Sequence, residues 1–192
     1  MFRFHENGSR REDEYCWLNE QFRINPLWRA KKLSAIKRIE IEVKPGQDVH
    51  SLACAFTLFD KIEYVNIKDT SNVSDMSGLF WQALTFNQSI GNWDTSNVTN
   101  MNSMFAQAVN FNQPLADWDI SAVTNLSCMF AGAKSFNQPI GCWDTSSVVN
   151  MASMFSGAES FNQQEGDWDT SAVTSMQLMF QNAVSFNQPL EN

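Results

Sequence analysis

A repeat of 25 residues occupies the last two thirds of the chain and constrains its fold more than any other feature. Phenylalanine, valine, alanine and tryptophan each recur at this spacing, as in the series Trp93, Trp118, Trp143 and Trp168. Four complete units span 86–110, 111–135, 136–160 and 161–185; a degenerate unit spans 61–85 and a truncated one begins at 186. A unit this short cannot bury its own apolar face, so we expect consecutive units to stack as a solenoid.

Each unit contains two patterns that predict secondary structure. An apolar stripe at i, i+3, i+6, i+7 and i+10 predicts a helix of about three turns; in the first complete unit it consists of Val98, Met101, Met104, Phe105 and Ala108. The Phe-Asn-Gln segment predicts a very short strand, because it contains proline at Pro114, Pro139 and Pro189. The predicted fold class is therefore α/β, with one short strand and one short helix per coil.

Residues 1–60 do not share the repeat, so we divide the chain into a cap region, 1–60, and a solenoid, 61–192. The cap is expected to be α+β, with a worn first coil at its end. Its helix is predicted around Tyr15, Leu18 and Phe22, its strand around Ile36, Ile39, Ile41 and Val43, and its worn coil around Leu52, Phe56, Phe59 and Ile62. A cap keeps a repeat array soluble. Alternatively, the basic N-terminal helix docks an acidic partner.

Composition excludes several classes of function. The net charge of −8 disfavours nucleic-acid binding, which requires an excess of lysine and arginine. No apolar run reaches the length of a membrane span. The chain has two histidines and no catalytic or phosphate-binding motif, so we expect no enzyme activity and no cofactor. Its four cysteines are scattered, which is typical of ordinary thiols.

Two polar columns are candidate sites. Stacked carboxylates either bind Ca²⁺ or accept backbone N–H bonds within their own turns; we favour the turn role and no metal for Asp94, Asp119, Asp144 and Asp169. A glutamine column lies beside the Phe-Asn segment and either forms an amide ladder with the asparagines or presents side chains to a partner. Its members are Gln88, Gln113, Gln138 and Gln163.

The C-terminal end of the array is a third candidate. No complete unit follows 161–185 in this sequence, so its apolar side is expected to be covered by self-association with a second copy, by a protein partner or by further residues absent from this chain. The residues expected there are Trp168, Met176, Met179 and Phe180. Alternatively, residues 186–192 fold back as a lid.

The unit W-D-T-S-x-V-x-N-M-x-x-M-F-x-x-A-x-x-F-N-Q resembles the BspA-like leucine-rich-repeat surface proteins. This resemblance implies a leucine-rich-repeat-like solenoid with an adhesin-like role at the cell surface or outside the cell. No export signal is visible after Met1, which suggests the cytoplasm instead. The predicted function is a non-enzymatic scaffold for protein or surface interaction. Alternatives are an architectural subunit of a larger assembly and a calcium-binding repeat protein.

Overall fold

A small sheet links the N-terminal region to the degenerate unit. The computed structural model describes residues 2–5, 37–41, 50–164, 166 and 168–189. Strand β1 is Phe2–His5, β2 is Arg38–Ile41 and β3 is Tyr64–Ile67, in the order β1-β2-β3. Strand β2 runs antiparallel to β1 and parallel to β3. The strand predicted around Ile39 is thus present as β2, whereas the helix predicted around Tyr15 lies outside the described residues.

The units stack through a seven-residue segment that we call the turn row. In each of the first five rows, the N–H groups of the first, third, fifth and seventh residues donate to carbonyl oxygens one unit further along the chain. Met101 donates to Asn125 at 3.0 Å and Ser103 to Ser127 at 2.9 Å. Consecutive units therefore lie in parallel. The six rows are 52–58, 76–82, 101–107, 126–132, 151–157 and 176–182.

The first row shows that residues before the recognisable repeat belong to the same stack. Row 52–58 donates four N–H groups to the next unit in the same pattern as the later rows. Leu52, Phe56, Phe59 and Ile62 are all buried, as a worn first coil requires. Stacking thus begins before residue 61, within the region that the sequence assigned to the cap.

The short helix predicted in every unit is not found in the described units. Residues 50–164 and 168–189 contain no α-helix, so this part of the fold prediction was wrong. Each row consists of tight turns, in which Met104, for example, donates its N–H to the carbonyl of Met101. The third and seventh residues of every row have positive φ, as at Ser103 (56°) and Gln107 (60°). A left-handed residue at every fourth position interrupts any right-handed helix.

Two columns of stacked phenylalanine rings form the centre of the core. Neighbouring rings are 5.5–5.7 Å apart in the first column and 5.9–6.1 Å apart in the second. The first column is Phe80, Phe105, Phe130, Phe155 and Phe180, and the second is Phe86, Phe111, Phe136, Phe161 and Phe186. Tryptophan packs beside the first column, and Trp118 donates its Nε1–H to the carbonyl of Ile90 at 3.1 Å. The 25-residue period therefore places identical side chains in register.

Candidate interaction surface

The aspartate column serves the turns that follow each tryptophan. Asp119 Oδ1 accepts hydrogen bonds from the backbone N–H of Ser121 at 3.0 Å and from its hydroxyl at 2.7 Å. The same pair of bonds joins Asp94 to Ser96 and Asp144 to Ser146, whereas Asp169 accepts the backbone N–H of Ser171. Within the described part of the chain, no three metal-ligating side chains form a cluster. The carboxylates thus have the turn role that we favoured.

These hydrogen bonds also set the acidity of the carboxyl groups. The serine hydroxyl, followed by the serine N–H, lowers the pKa of Asp119 and Asp144 from the usual 3.8. Their carboxylates are therefore held in the charged form, which accepts these bonds best.

The asparagine and glutamine columns tie each unit to the one before it. Asn112 Oδ1 accepts the backbone N–H of Asn137 at 3.0 Å and the Nε2–H of Gln138 at 2.9 Å. Gln113 and Gln163 donate in the same way to the asparagine oxygens of their preceding units. The strand predicted for this segment does not form in residues 86–90, 111–115 or 136–140, because side-chain oxygens replace the backbone ladder.

The first glutamine takes a different partner because β3 replaces the asparagine segment in the degenerate unit. Gln88 Oε1 accepts the N–H of Val65 at 2.6 Å, and its Nε2–H donates to the carbonyl of Val65 at 2.8 Å. The side-chain amide thus imitates a peptide group paired with the strand. All four candidate glutamines hold structural bonds, and partner binding by these residues stays a prediction.

The C-terminal edge exposes side chains whose counterparts in earlier units are buried. Met176 is 41% exposed, whereas Met101 and Met151 in the same column are 0% exposed. Trp168 and Phe180 are half-buried. Met179 is buried, contrary to its predicted place on the exposed edge. Three of the four predicted edge residues are therefore accessible, at least in part.

One further edge residue was not predicted. Leu178 is 56% exposed. Val184 is 79% exposed as well, but its column also faces solvent in earlier units, as at Leu84 and Glu159. Leu178 has positive φ in a column where other units carry small residues: Gly78, Ser103, Cys128 and Ser153. The sequence signal that could have identified Leu178 is a large apolar residue in a column that otherwise holds small residues.

The backbone of the C-terminal edge is also incompletely bonded. The four N–H groups of Met176, Leu178, Phe180 and Asn182 occupy the positions that donate to the following unit in every earlier row. No acceptor for them occurs among the residues that the structure describes. This C-terminal edge, defined by row 176–182 with Trp168, therefore combines apolar side chains with four N–H donors that have no acceptor in the described part of the chain.

Comparison with known proteins adds a family but no characterised relative. No helix in the described residues is long and apolar enough to cross a membrane. Neither the curated proteins nor the solved structures gave a match. Two overlapping stretches, 50–143 and 115–192, match a family described as "Mycoplasma protein of unknown function, DUF285", and the first match begins two residues before the first turn row. Because these matches cover more than half of the chain, the protein belongs to the DUF285 family.

Proposed function

We propose that this protein is a non-enzymatic repeat scaffold that binds another protein through its C-terminal edge. The stack of turn rows would be a leucine-rich-repeat-like solenoid, in keeping with the sequence resemblance to BspA-like proteins. The observation that carries the proposal is the contrast within one column, where Met176 is 41% exposed while Met101 and Met151 are fully buried.

The edge favours a partner that supplies both apolar side chains and backbone acceptors. Met176 and Leu178 belong to the same row as four N–H groups that have no described acceptor. Exposed sheet edges of this kind pair readily with another chain, since main-chain hydrogen bonds provide affinity and side chains provide specificity. A polypeptide segment satisfies both requirements.

The two alternatives from the sequence differ in their support. An architectural subunit would use the same edge for assembly, so the exposed edge is compatible with that role. A calcium-binding repeat protein would need free carboxylate oxygens. In the described units, Asp119 and Asp144 each use one carboxylate oxygen to accept hydrogen bonds from a serine. These bonds support a turn role for the carboxylates, and the exposed edge supports protein binding.

Photo-crosslinking tests the proposal. A benzophenone amino acid at Leu178 should give a protein adduct in native cells, whereas the same probe at the exposed Thr99 on the side of the stack should not. The adduct should also disappear when Met176→Lys places an ammonium group beside the N–H donors. Equal adducts at both positions, or none at Leu178, would contradict binding at this edge.

A further inference from the structure

Three exposed apolar residues depart from the repeat pattern at the first two turn rows. Trp81 and Leu84 are each 41% exposed and Leu58 is 37% exposed. The column of Trp81 otherwise holds small or polar residues, namely Thr57, Ala106, Ala131, Ser156 and Gln181. The column of Leu58 continues with Gln82, Gln107, Gly132, Gly157 and Asn182. The stacking of the units therefore does not require large apolar side chains at these positions.

The backbone hydrogen bonds bring the three residues together around Asp60. Leu58 donates its N–H to the carbonyl of Trp81 at 2.8 Å. Thr85, which directly follows Leu84, donates its N–H to the carbonyl of Asp60 at 3.2 Å. Since Asp60 follows Leu58 by two residues, all four side chains belong to adjacent stretches of two neighbouring units. We call Leu58, Asp60, Trp81 and Leu84 the side patch.

Asp60 lacks a hydrogen-bond donor within this side patch. Its Oδ1 atom is buried and accepts no hydrogen bond from the described residues. A buried carboxylate oxygen without a donor is costly, because it has lost its water and gained no partner. The side patch therefore favours an occupant that supplies a cationic donor together with apolar side chains.

One segment of this chain has that composition. Residues 21–36, which lie outside the described residues, contain no acidic side chain. Their basic residues are Arg23, Arg29, Lys31 and Lys32, and their large apolar residues are Phe22, Leu27, Trp28, Leu33 and Ile36. Residues 50–192, in contrast, hold 13 acidic side chains and only three lysines. Charge therefore attracts the segment to the stack.

The same segment ends close to the side patch. Lys37, the next residue, accepts the N–H of Glu63 at 2.9 Å with its carbonyl, and its Nζ lies 2.8 Å from Glu63 Oε1. Glu63 follows Asp60 by three residues, which span at most about 11 Å. The segment is thus anchored beside the side patch, and its length is ample to cover the patch.

We propose that residues 21–36 bind the side patch of their own chain. Their apolar side chains would cover Trp81 and Leu84, and one of their lysine or arginine side chains would donate to Asp60. The anchored end keeps the local concentration of the segment high, which favours it over a free partner. This surface is separate from the C-terminal edge, so the inference does not depend on the proposed function.

Photo-crosslinking of the purified chain at low concentration tests the contact. A benzophenone amino acid at Leu84 should form an adduct of monomer mass, and mass spectrometry after digestion should place the bond within residues 21–36. Val184 provides the matched control, because it occupies the same column and is 79% exposed but lies four units away. The probe there should crosslink to this segment at least tenfold less.

Limited trypsin digestion gives a second measurement. Trp81→Ala introduces the residue that Ala106 and Ala131 provide in the same column, so the stack should keep its thermal midpoint. Cleavage after Arg29 should nevertheless become about fivefold faster, because its rate follows the fraction of unbound segment. Asp60→Asn should accelerate it as well. Val149→Ala, at a residue that is also 41% exposed but in a different column, should leave it unchanged.

Three results would refute this inference. The first is an adduct at Leu84 that joins two chains, which would make a second copy the occupant. The second is an adduct that maps outside residues 21–36, or that contains a different protein when the probe is used in native cells. The third is equal tryptic cleavage of wild type and Trp81→Ala. The proposed function would stand in each case, because it is tested by the adduct at Leu178.

Discussion

Replacing Trp118 by alanine should lower the free energy of unfolding by about 3–5 kcal/mol, as truncation of large aromatic core residues does. Trp118 is 3% exposed and its ring lies 6.2 Å from that of Phe105. Its Nε1–H donates to the carbonyl of Ile90 in the preceding unit. Alanine would open a cavity, whereas this carbonyl would keep the N–H of Trp93 as a donor at 3.1 Å. We therefore expect most of the loss to come from packing.

Two matched variants separate packing from hydrogen bonding. Trp168→Ala removes the same bond, to the carbonyl of Ile140 at 3.2 Å, but from a half-buried ring at the C-terminal edge. It should cost less than Trp118→Ala, because less apolar surface is lost from the core. Trp118→Phe keeps most of the ring packing and removes the donor, so it should fall between wild type and Trp118→Ala.

Urea denaturation followed by circular dichroism is the appropriate assay, since tryptophan fluorescence changes with the substitution itself. Hydrogen exchange should also rise first in rows 101–107 and 126–132, because each unit contacts only its neighbours. A denaturation midpoint that does not move, or equal losses for Trp118→Ala and Trp168→Ala, would refute the assigned register.

The remaining predictions address the turns, the side-chain ladder and the carboxylates. In thermal melts, Gly157→Ala should destabilise the protein by about 1–2 kcal/mol because φ is 71° there. Ser153→Gly, at another position of positive φ, should be neutral or stabilising in the same melts. Asn137→Ala should cost about 1–3 kcal/mol in urea, because the N–H of the next asparagine loses its acceptor; no loss would contradict the ladder. The pKa of Asp119 is lowered from 3.8 on folding, so its stabilisation is present above that value and is lost as pH falls through the lower folded-state pKa. Asp119→Asn should therefore flatten the decline of urea midpoints in acid, and an unchanged decline would count against the bond. Thermal melts with EDTA or Ca²⁺ should coincide, and a rise of several degrees in Ca²⁺ would instead favour the calcium-binding alternative.

The stacking of the units follows directly from the sequence, but their local structure does not. A 25-residue period places identical residues in register whatever the backbone conformation, so Phe105 stacks on Phe130 as expected. The helix prediction failed because consecutive turns also place apolar residues on one side at steps of three and four. Glycine at Gly132 and Gly157, one residue before the last apolar residue of the supposed helix, was the contrary signal.

The candidate sites were likewise predictable from the sequence only in part. The turn role of Asp119 follows from local chemistry, since an aspartate two residues before a serine readily accepts its N–H. The burial of Met179 was not predictable, because it depends on where the turns direct each side chain of the last row. The outward backbone N–H groups of row 176–182 were not predictable either, because residue types do not show in which direction a row donates its hydrogen bonds.

The asparagine ladder has a consequence for how such a protein changes length during evolution. Each Asn oxygen accepts from the next copy of its own segment, so the unit is complementary to itself. Duplicating one unit's coding sequence would add an interface that already exists elsewhere in the chain, and no compensating substitutions would be needed. An insertion of one residue would instead displace the backbone N–H groups that donate to the side-chain oxygens of Asn112 and Asn137. Selection can therefore vary the number of units freely while holding their period fixed.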